Sequence, residues 1–342
     1  MPFRSNVSNV KKYGAALAVL LCAAALGAWA HPPNILNPHG YVALAESNLF
    51  WFILIIATTV FVLVMSFFIY SIIRFRARPG SPEPVQRHGN SALELAWTIV
   101  PTVVLMGVLG TTIYTLLFAI QQPTNVTTIT VDAIGHQWWW EFQYPGQNVT
   151  TADELHVPLN TVIHVNLISD NVIHSFWIPD LAGKTDVIPG HDNYMWFKSD
   201  TPGYYRGECA EFCGTQHANM DFEVVVESQS AYNAWVANQQ KPAATPTSAL
   251  AIQGAALFAS KTCIGCHVIN VKGVPASHLI GPNLTHFGSR QLIAGGVLDN
   301  NPQNLATYLR NPQAVKNGID MPDLNLTQSE IDALVAYLDS LK

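Results

Sequence analysis

The sequence predicts a multidomain membrane protein: a transmembrane two-helix hairpin, then an all-β domain, then a small all-α domain. Three observations carry that prediction. Two long stretches, Leu49 to Ile73 and Leu95 to Ile120, hold no charged side chain. Short β-rich runs such as TTITVDAI, TVIHVNLI and FEVVVES follow between Val126 and Val226, broken by Gly, Pro and Asp-Asn. Helical patterns then return in AIQGAALFASKTCIGCH, NLATYLRNP and TQSEIDALVAYLDSL. Composition agrees, since 49% of the 342 residues are hydrophobic and only 12% charged, a low share for a wholly soluble chain.

The chain opens with Arg4, Lys11 and Lys12, then an apolar run from Ala15 that contains Cys22 and ends at Ala28-Trp29-Ala30. This is the plan of a secretory signal peptide, residues 1–30. Residues 31–122 form the hairpin, with spans at about 49–73 and 95–120, each long enough to cross a bilayer as a helix. The loop between the spans carries Arg74, Arg76, Arg78 and Arg87 against Glu83, whereas the outer flanks, 31–48 and 121–131, hold no Lys or Arg. The positive-inside rule puts that loop in the cytoplasm, with the termini and everything after Gln121 on the extracytoplasmic side of a bacterial membrane.

Residues 123–237 read as an antiparallel sandwich or barrel. The segment NQQKPAATPTSAL, 238–250, reads as a flexible tether, and 251–342 as the helical domain. The net charge of −6 is unevenly spread. Gln121 to Val236 holds 14 acidic and 3 basic side chains, whereas 6 of each cancel from Ala251 onward. No basic patch exists to bind nucleic acid. The acidic middle domain would attract a basic carrier, and the neutral third domain would be held near it by the tether alone.

Two motifs carry chemistry. In GECAEFCGTQHANM, residues Cys209, Cys213, His217 and Met220 stand four, four and three residues apart. His174, in NVIHSFWIP, offers a further ligand from a separate strand end. A blue-copper site uses two histidines, one cysteine and an axial methionine. A second thiolate lets two coppers be bridged, each keeping one histidine. A Cys209–Cys213 disulfide and a Cys₂His₂ zinc site are the alternatives, though zinc leaves Met220 without a role. The second motif, Cys263-Ile264-Gly265-Cys266-His267, is the C-x-x-C-H that attaches c-type haem through two thioethers and a proximal histidine. Met321 is the sole methionine after His267 and so the distal candidate; His278 and His286 are the histidine alternatives. A thioredoxin-like redox pair would require a βαβ setting that this helical segment lacks.

GECAEFCGTQHANM together with HSFWIPDLAGKTDVIPG and the two-helix hairpin resembles subunit II of haem-copper cytochrome c oxidases. GPNL at 281–284 and the terminal LVAYLDSL resemble small bacterial cytochromes c. The resemblance implies a cupredoxin-like sandwich holding a binuclear CuA centre on His174, Cys209, Cys213, His217 and Met220, with Glu211 ligating through its carbonyl. It also implies a magnesium ion shared between the Glu211 carboxylate and subunit I. Trp138, the first tryptophan of GHQWWWEFQYP, matches the residue through which electrons come in, and strand alternation would put it on one face with Trp140. Glu94 matches the glutamate at the mouth of a proton channel. By physics alone, the aromatic run is core packing and Glu94 a helix-dipole carboxylate. His191 departs from the family, which usually has arginine there.

The implied function is electron acceptance from cytochrome c or another reduced donor, through haem c and CuA, for an oxidase that reduces oxygen and pumps protons. Subunits I and III and membrane lipid would be its partners. A CuA-bearing subunit of a nitric oxide reductase is the alternative.

Overall fold

The computed structural model describes residues 34–80, 83, 85–86, 89–269 and 280–342. The signal peptide expected at 1–30, and His278, lie outside the described residues. Helix α1 spans Tyr41–Arg74 and α2 spans Ser91–Ile120, and both are apolar enough to cross a membrane. Their large side chains point outward, Phe61, Phe67 and Leu105 among them, as expected for helices solvated by lipid. Asn90 starts α2 by accepting the Ala92 and Leu93 amides on its side-chain oxygen at 3.1 and 3.3 Å.

Helix α1 begins ahead of the uncharged run because its first turn belongs to the next domain. Val42 and Ala43 are buried there. The Gly40 amide donates to Asp180 O and the Tyr41 amide to Lys198 O, each at 3.0 Å. A side chain at Gly40 would collide with the Leu181 carbonyl. At the far end of the hairpin, Phe118 packs edge-on against Trp196 with ring centroids 5.9 Å apart. Both outer helix ends are thus stitched to the β domain.

That domain is built from β1 (Thr128–His136), β2 (Trp139–Tyr144), β3 (Val149–Ala152), β4 (Glu154–Pro158), β5 (Val162–Ser169), β6 (His174–Ile178), β7 (Ala182–Val187), β8 (Asn193–Phe197), β9 (Gly203–Cys209) and β10 (Asp221–Glu227). They form two five-stranded sheets, ordered β3-β2-β1-β5-β8 and β4-β10-β9-β6-β7. The expected antiparallel sandwich is therefore mixed. β1 pairs with β5, and β4 with β10, in parallel. Alternation of apolar residues marks a strand but says nothing of its neighbour's direction, and here crossovers between the sheets set it. Trp140, Phe142, Phe176 and Phe222 fill the space between the sheets, with Trp140 5.1 Å from Phe176 and Phe176 stacked 4.5 Å from Phe222. Helix α3 (Gln229–Gln239) closes this domain through Trp235, which stacks on His156.

The third domain has its own core. Helix α4 (Ala249–Ser260) packs against the last helix, while α5 (Pro302–Arg310) and α6 (Pro312–Val315) precede it. That last helix, α7 (Gln328–Asp339), starts with a capping box between Thr327 and Glu330. Gly254 lets α4 and α7 touch: a side chain there would strike the Ala333 carbonyl and lie 2.6 Å from Tyr337 Cβ. Gly254→Ala should therefore lower the stability of this domain by roughly 1–3 kcal/mol, the range for overpacking a tight contact. Denaturant titration followed by far-ultraviolet dichroism would measure it.

Candidate metal centre and haem pocket

Sheet order brings the candidate ligands together. β9 lies between β10 and β6, so Cys209 at its end meets the start of β6. The Ala210 amide donates to Ser175 O at 2.8 Å, and the Cys209 amide to Met220 O at 3.0 Å. The loop between β9 and β10 is closed on itself at its base by that second bond.

Within it, Cys209 Sγ and Cys213 Sγ stand 3.7 Å apart, far beyond the roughly 2.05 Å of a disulfide. His174 Nδ1 is 3.8 Å from Cys209 Sγ, and His217 Nδ1 is 3.8 Å from Cys213 Sγ. Met220 Sδ is 3.8 Å from Cys213 Sγ, and the Glu211 carbonyl is 3.3 Å from Cys209 Sγ. The order is histidine, thiol, thiol, histidine, with one weak donor near each thiol. The ligand atoms of His174, Cys209 and Cys213 lie within 4.8 Å of one another, a set that His217 does not join. A single tetrahedral ion needs all four within its reach; a bridged pair of ions does not.

Second contacts orient these groups. His174 Nε2 is 3.0 Å from the Asn171 side-chain oxygen, which fixes the tautomer and leaves Nδ1 free for a metal. The hydrogen bond between the two thiols pulls the Cys209 pKa down and pushes that of Cys213 up. Two thiolates at this distance need cationic charge between them. The Glu211 side chain and Phe212 are exposed beside the loop. His191 is exposed too, its amide closing a turn onto Ile188 O at 3.1 Å.

Trp138 is not on a strand face with Trp140. It sits in the turn before β2. The reason is that β1 and β2 pair only as far as His136 and Trp139, which leaves two residues to reverse the chain. Trp139 instead stacks on His136 at 4.2 Å, and Trp140 enters the core. In the turn, the Trp138 indole N–H donates to the Cys213 carbonyl at 3.0 Å, as does the Gln137 amide at 2.6 Å. The aromatic ring is thus one hydrogen bond from the thiol loop. Glu94 lies in the exposed first turn of α2 with its carboxylate against Gly89.

The third domain surrounds a cavity lined by Cys263, Cys266, His267 and Met321. Cys263 and Cys266 are free thiols in a short 3₁₀ turn after α4. His267 Nδ1 lies 2.9 Å from Pro282 O, so its N–H faces the carbonyl and Nε2 is left for an iron ion. Burial pushes the His267 pKa down, which favours the neutral, ligating form. His286 does not line the cavity: its Nε2 meets Lys241 O at 3.1 Å. The residues present fit a covalently attached haem with one nitrogen and one sulfur ligand.

Trp138 and Trp139 line that same cavity. The third domain is therefore seated on the sandwich, not held by a tether alone. Asp221 N–H donates to Gly295 O at 2.9 Å, and Gln216 donates to Asn317 O at 2.7 Å. The Glu154 carboxylate accepts the Gln291 and Leu292 amides. Lys316 is buried at the seam, where burial lowers its pKa to about 8, and Asp153 and Asp221 carry the nearby negative charge. The sequence reading missed these residues. An isolated lysine or carboxylate in a polar stretch looks like a solvated one.

Comparison with known proteins gives three family matches. Cytochrome C oxidase subunit II, transmembrane domain, matches residues 43–114. Cytochrome C oxidase subunit II, periplasmic domain, matches 147–229, and Cytochrome c matches 251–342. The chain is 38% identical over 295 residues to cytochrome c oxidase subunit 2 of Alkalihalophilus pseudofirmus, covering 84% of this chain and 85% of that protein. It is also 38% identical over 288 residues to cytochrome c oxidase subunit 2 of Bacillus sp. PS3, covering 78% and 80%. A quinol oxidase subunit 2 of Bacillus cereus is 29% identical over 220 residues, covering 63% and 76%.

If Met321 supplies the sulfur ligand of a haem attached here, Met321→Ala should leave that haem in place while lowering its potential and giving a high-spin or substitute-ligand spectrum. Redox titration and absorption spectra of the purified protein check this. An unchanged spectrum would assign the sixth position to another residue.

Proposed function

The chain belongs to the cytochrome c oxidase subunit II family, with a cytochrome c domain at its C-terminus, and from that premise we propose that it receives electrons for a haem-copper oxidase through two redox centres of its own. His174, Cys209, Cys213, His217 and Met220, with the Glu211 carbonyl, would hold a binuclear CuA centre. Cys263, Cys266, His267 and Met321 would hold haem c. When bound, these groups would supply one-electron carriers between a reduced donor and subunit I.

The observation that carries this reading is the pair of thiols 3.7 Å apart with a histidine beside each. Two thiolates with a histidine beside each would hold two metal ions as a single one-electron carrier. Burial of Cys209, Cys213, His174 and Met220 excludes water from that site. Trp138 does the positioning between the two sites, with its ring on the cavity wall and its indole N–H on the Cys213 carbonyl. A quinol oxidase subunit has no use for such a donor set.

The exposed Glu211 carboxylate would share a magnesium ion with subunit I, and Phe212 beside it would face the same partner. Subunit III completes the complex. The arginine-rich loop would lie in the cytoplasm and both redox domains in the periplasm. Glu94 would then stand at the cytoplasmic edge of the membrane, where a carboxylate can collect protons for a pumping partner.

Metal analysis of the purified complex should give two coppers for this chain's site and one covalent haem. One copper, or a zinc, would refute the binuclear reading. Cys213→Ser should abolish the mixed-valence copper signal and turnover while leaving the haem attached, because the haem ligands belong to a separate core. Oxygen and nitric oxide supplied in parallel identify the acceptor, with oxygen consumption expected. Glu94→Gln should slow steady-state turnover while reduction of the haem and copper sites keeps its rate; unaltered turnover would make Glu94 a helix-end residue only.

A further inference from the structure

One loop of the cytochrome c domain touches both proposed centres. It runs from Lys316, just after α6, to Met321 at the cavity. At its start, the Lys316 ammonium donates to Trp138 O at 2.6 Å and to Ala294 O at 2.9 Å. At the next residue, Asn317 O accepts from Gln216, the neighbour of His217. Gly318 lies beside the Trp138 ring: a Cβ placed there would be in ordinary contact with its Cη2, 3.9 Å away. The far end is fixed from inside the domain: the Gln313 amide donates to Ile319 O at 2.7 Å and Met321 O at 2.9 Å, and accepts from Gly318 N–H at 2.9 Å.

A lysine only 2% exposed is a costly way to fasten two carbonyls. Its long stem and point charge do what a shorter neutral donor cannot, reaching across the seam and drawing on Asp153 and Asp221 for charge balance. Buried groups of this kind act as register devices. The register set here relates the Met321 side of the cavity to the Trp138 ring.

We propose that Lys316 is a positioning residue: it latches the 316–321 loop onto Trp138, so that the haem domain is held in one seat on the copper domain and the ring stays aligned between the two centres. This rests on the reading of the two sites given above. No bond is made or broken: what the latch supplies is a fixed position of the Trp138 ring between the residues that would hold the two centres. The seat also covers Trp138, which is only 9% exposed, so a separate carrier reaches it only when the haem domain lifts away.

The test compares the purified oxidase complex with its Lys316→Met variant, which keeps the stem and removes the donor. Hydrogen exchange read by mass spectrometry should rise about tenfold at the seam amides of Asp221, Gln291 and Leu292, the factor expected when a charge-assisted hydrogen bond is lost. Exchange within α4 and α7 should stay unchanged, and photoinduced electron transfer from haem to copper should slow. Normal haem and copper spectra in the variant show that both centres are intact, and their absence from the wild-type complex would instead refute the site assignments. Unchanged seam exchange, or an equal rise throughout the domain, overturns the latch. Should Lys316→Met not fold, Gly295→Ala probes the same contact from the other side, since its Cβ would push on the Lys316 ammonium and lie 2.8 Å from Trp138 O. The same exchange pattern is expected, and seam exchange equal to wild type overturns the proposal.

Discussion

Two sulfur atoms held 3.7 Å apart are the constraint on which the rest of this structure depends. The separation is too long for a bond between them and close enough that two ionised thiolates there would be stable only with cationic charge beside them. Holding it requires a loop that cannot drift. The backbone does this with the Cys209–Met220 bond at the base of the loop and the Ala210–Ser175 bond to the neighbouring strand. The same strand carries His174, which is how a residue distant in sequence becomes a ligand neighbour. The large aromatic core beneath it, Trp140 and Phe176 above all, makes that strand end rigid.

From the thiol loop, structure extends in two directions. Toward the cavity of the third domain, the Cys213 carbonyl receives the Trp138 indole N–H, and Trp138 forms part of the cavity wall. Toward the membrane, β7 and β8 are fastened to the first turn of α1 and the last turns of α2. Among the described residues, both outer ends of the membrane hairpin are thus fixed to the β domain.

The seam between the two extramembrane domains is rich in buried charge. Glu154 and Arg290, Asp153 and Lys316, and Asp221 with Arg206 at 2.6 Å all lie at or near it. Burial pushes the Asp221 pKa up to about 6, and the Arg206 guanidinium beside it acts in the opposite sense. Such groups add little net stability over an apolar seam, but they tolerate only one geometry. The expectation of a neutral domain held by a tether is replaced by local pairing, because net charge says nothing of where the charges sit. An apolar seam could slide; one in which Asp221 N–H meets Gly295 O and the Glu154 carboxylate accepts the Gln291 and Leu292 amides is fixed in place.

The sequence by itself determined the membrane hairpin, the two domains that follow it and the residue types gathered in the thiol loop and the C-x-x-C-H turn. Those signals are local: uncharged length, β-rich runs, the spacing of GECAEFCGTQHANM, and C-x-x-C-H. It determined that two thiols served one loop, but not that His174 would sit beside Cys209 and His217 beside Cys213. Strand direction was likewise illegible, since alternation has the same period in parallel and antiparallel pairs. Trp138 was misplaced onto a strand face because a turn of two residues leaves no mark on an all-aromatic run. Lys316, Asp153 and Glu154 were invisible for a different reason. Charged residues are assumed to face water until packing covers them, and only the tertiary structure decides which are covered.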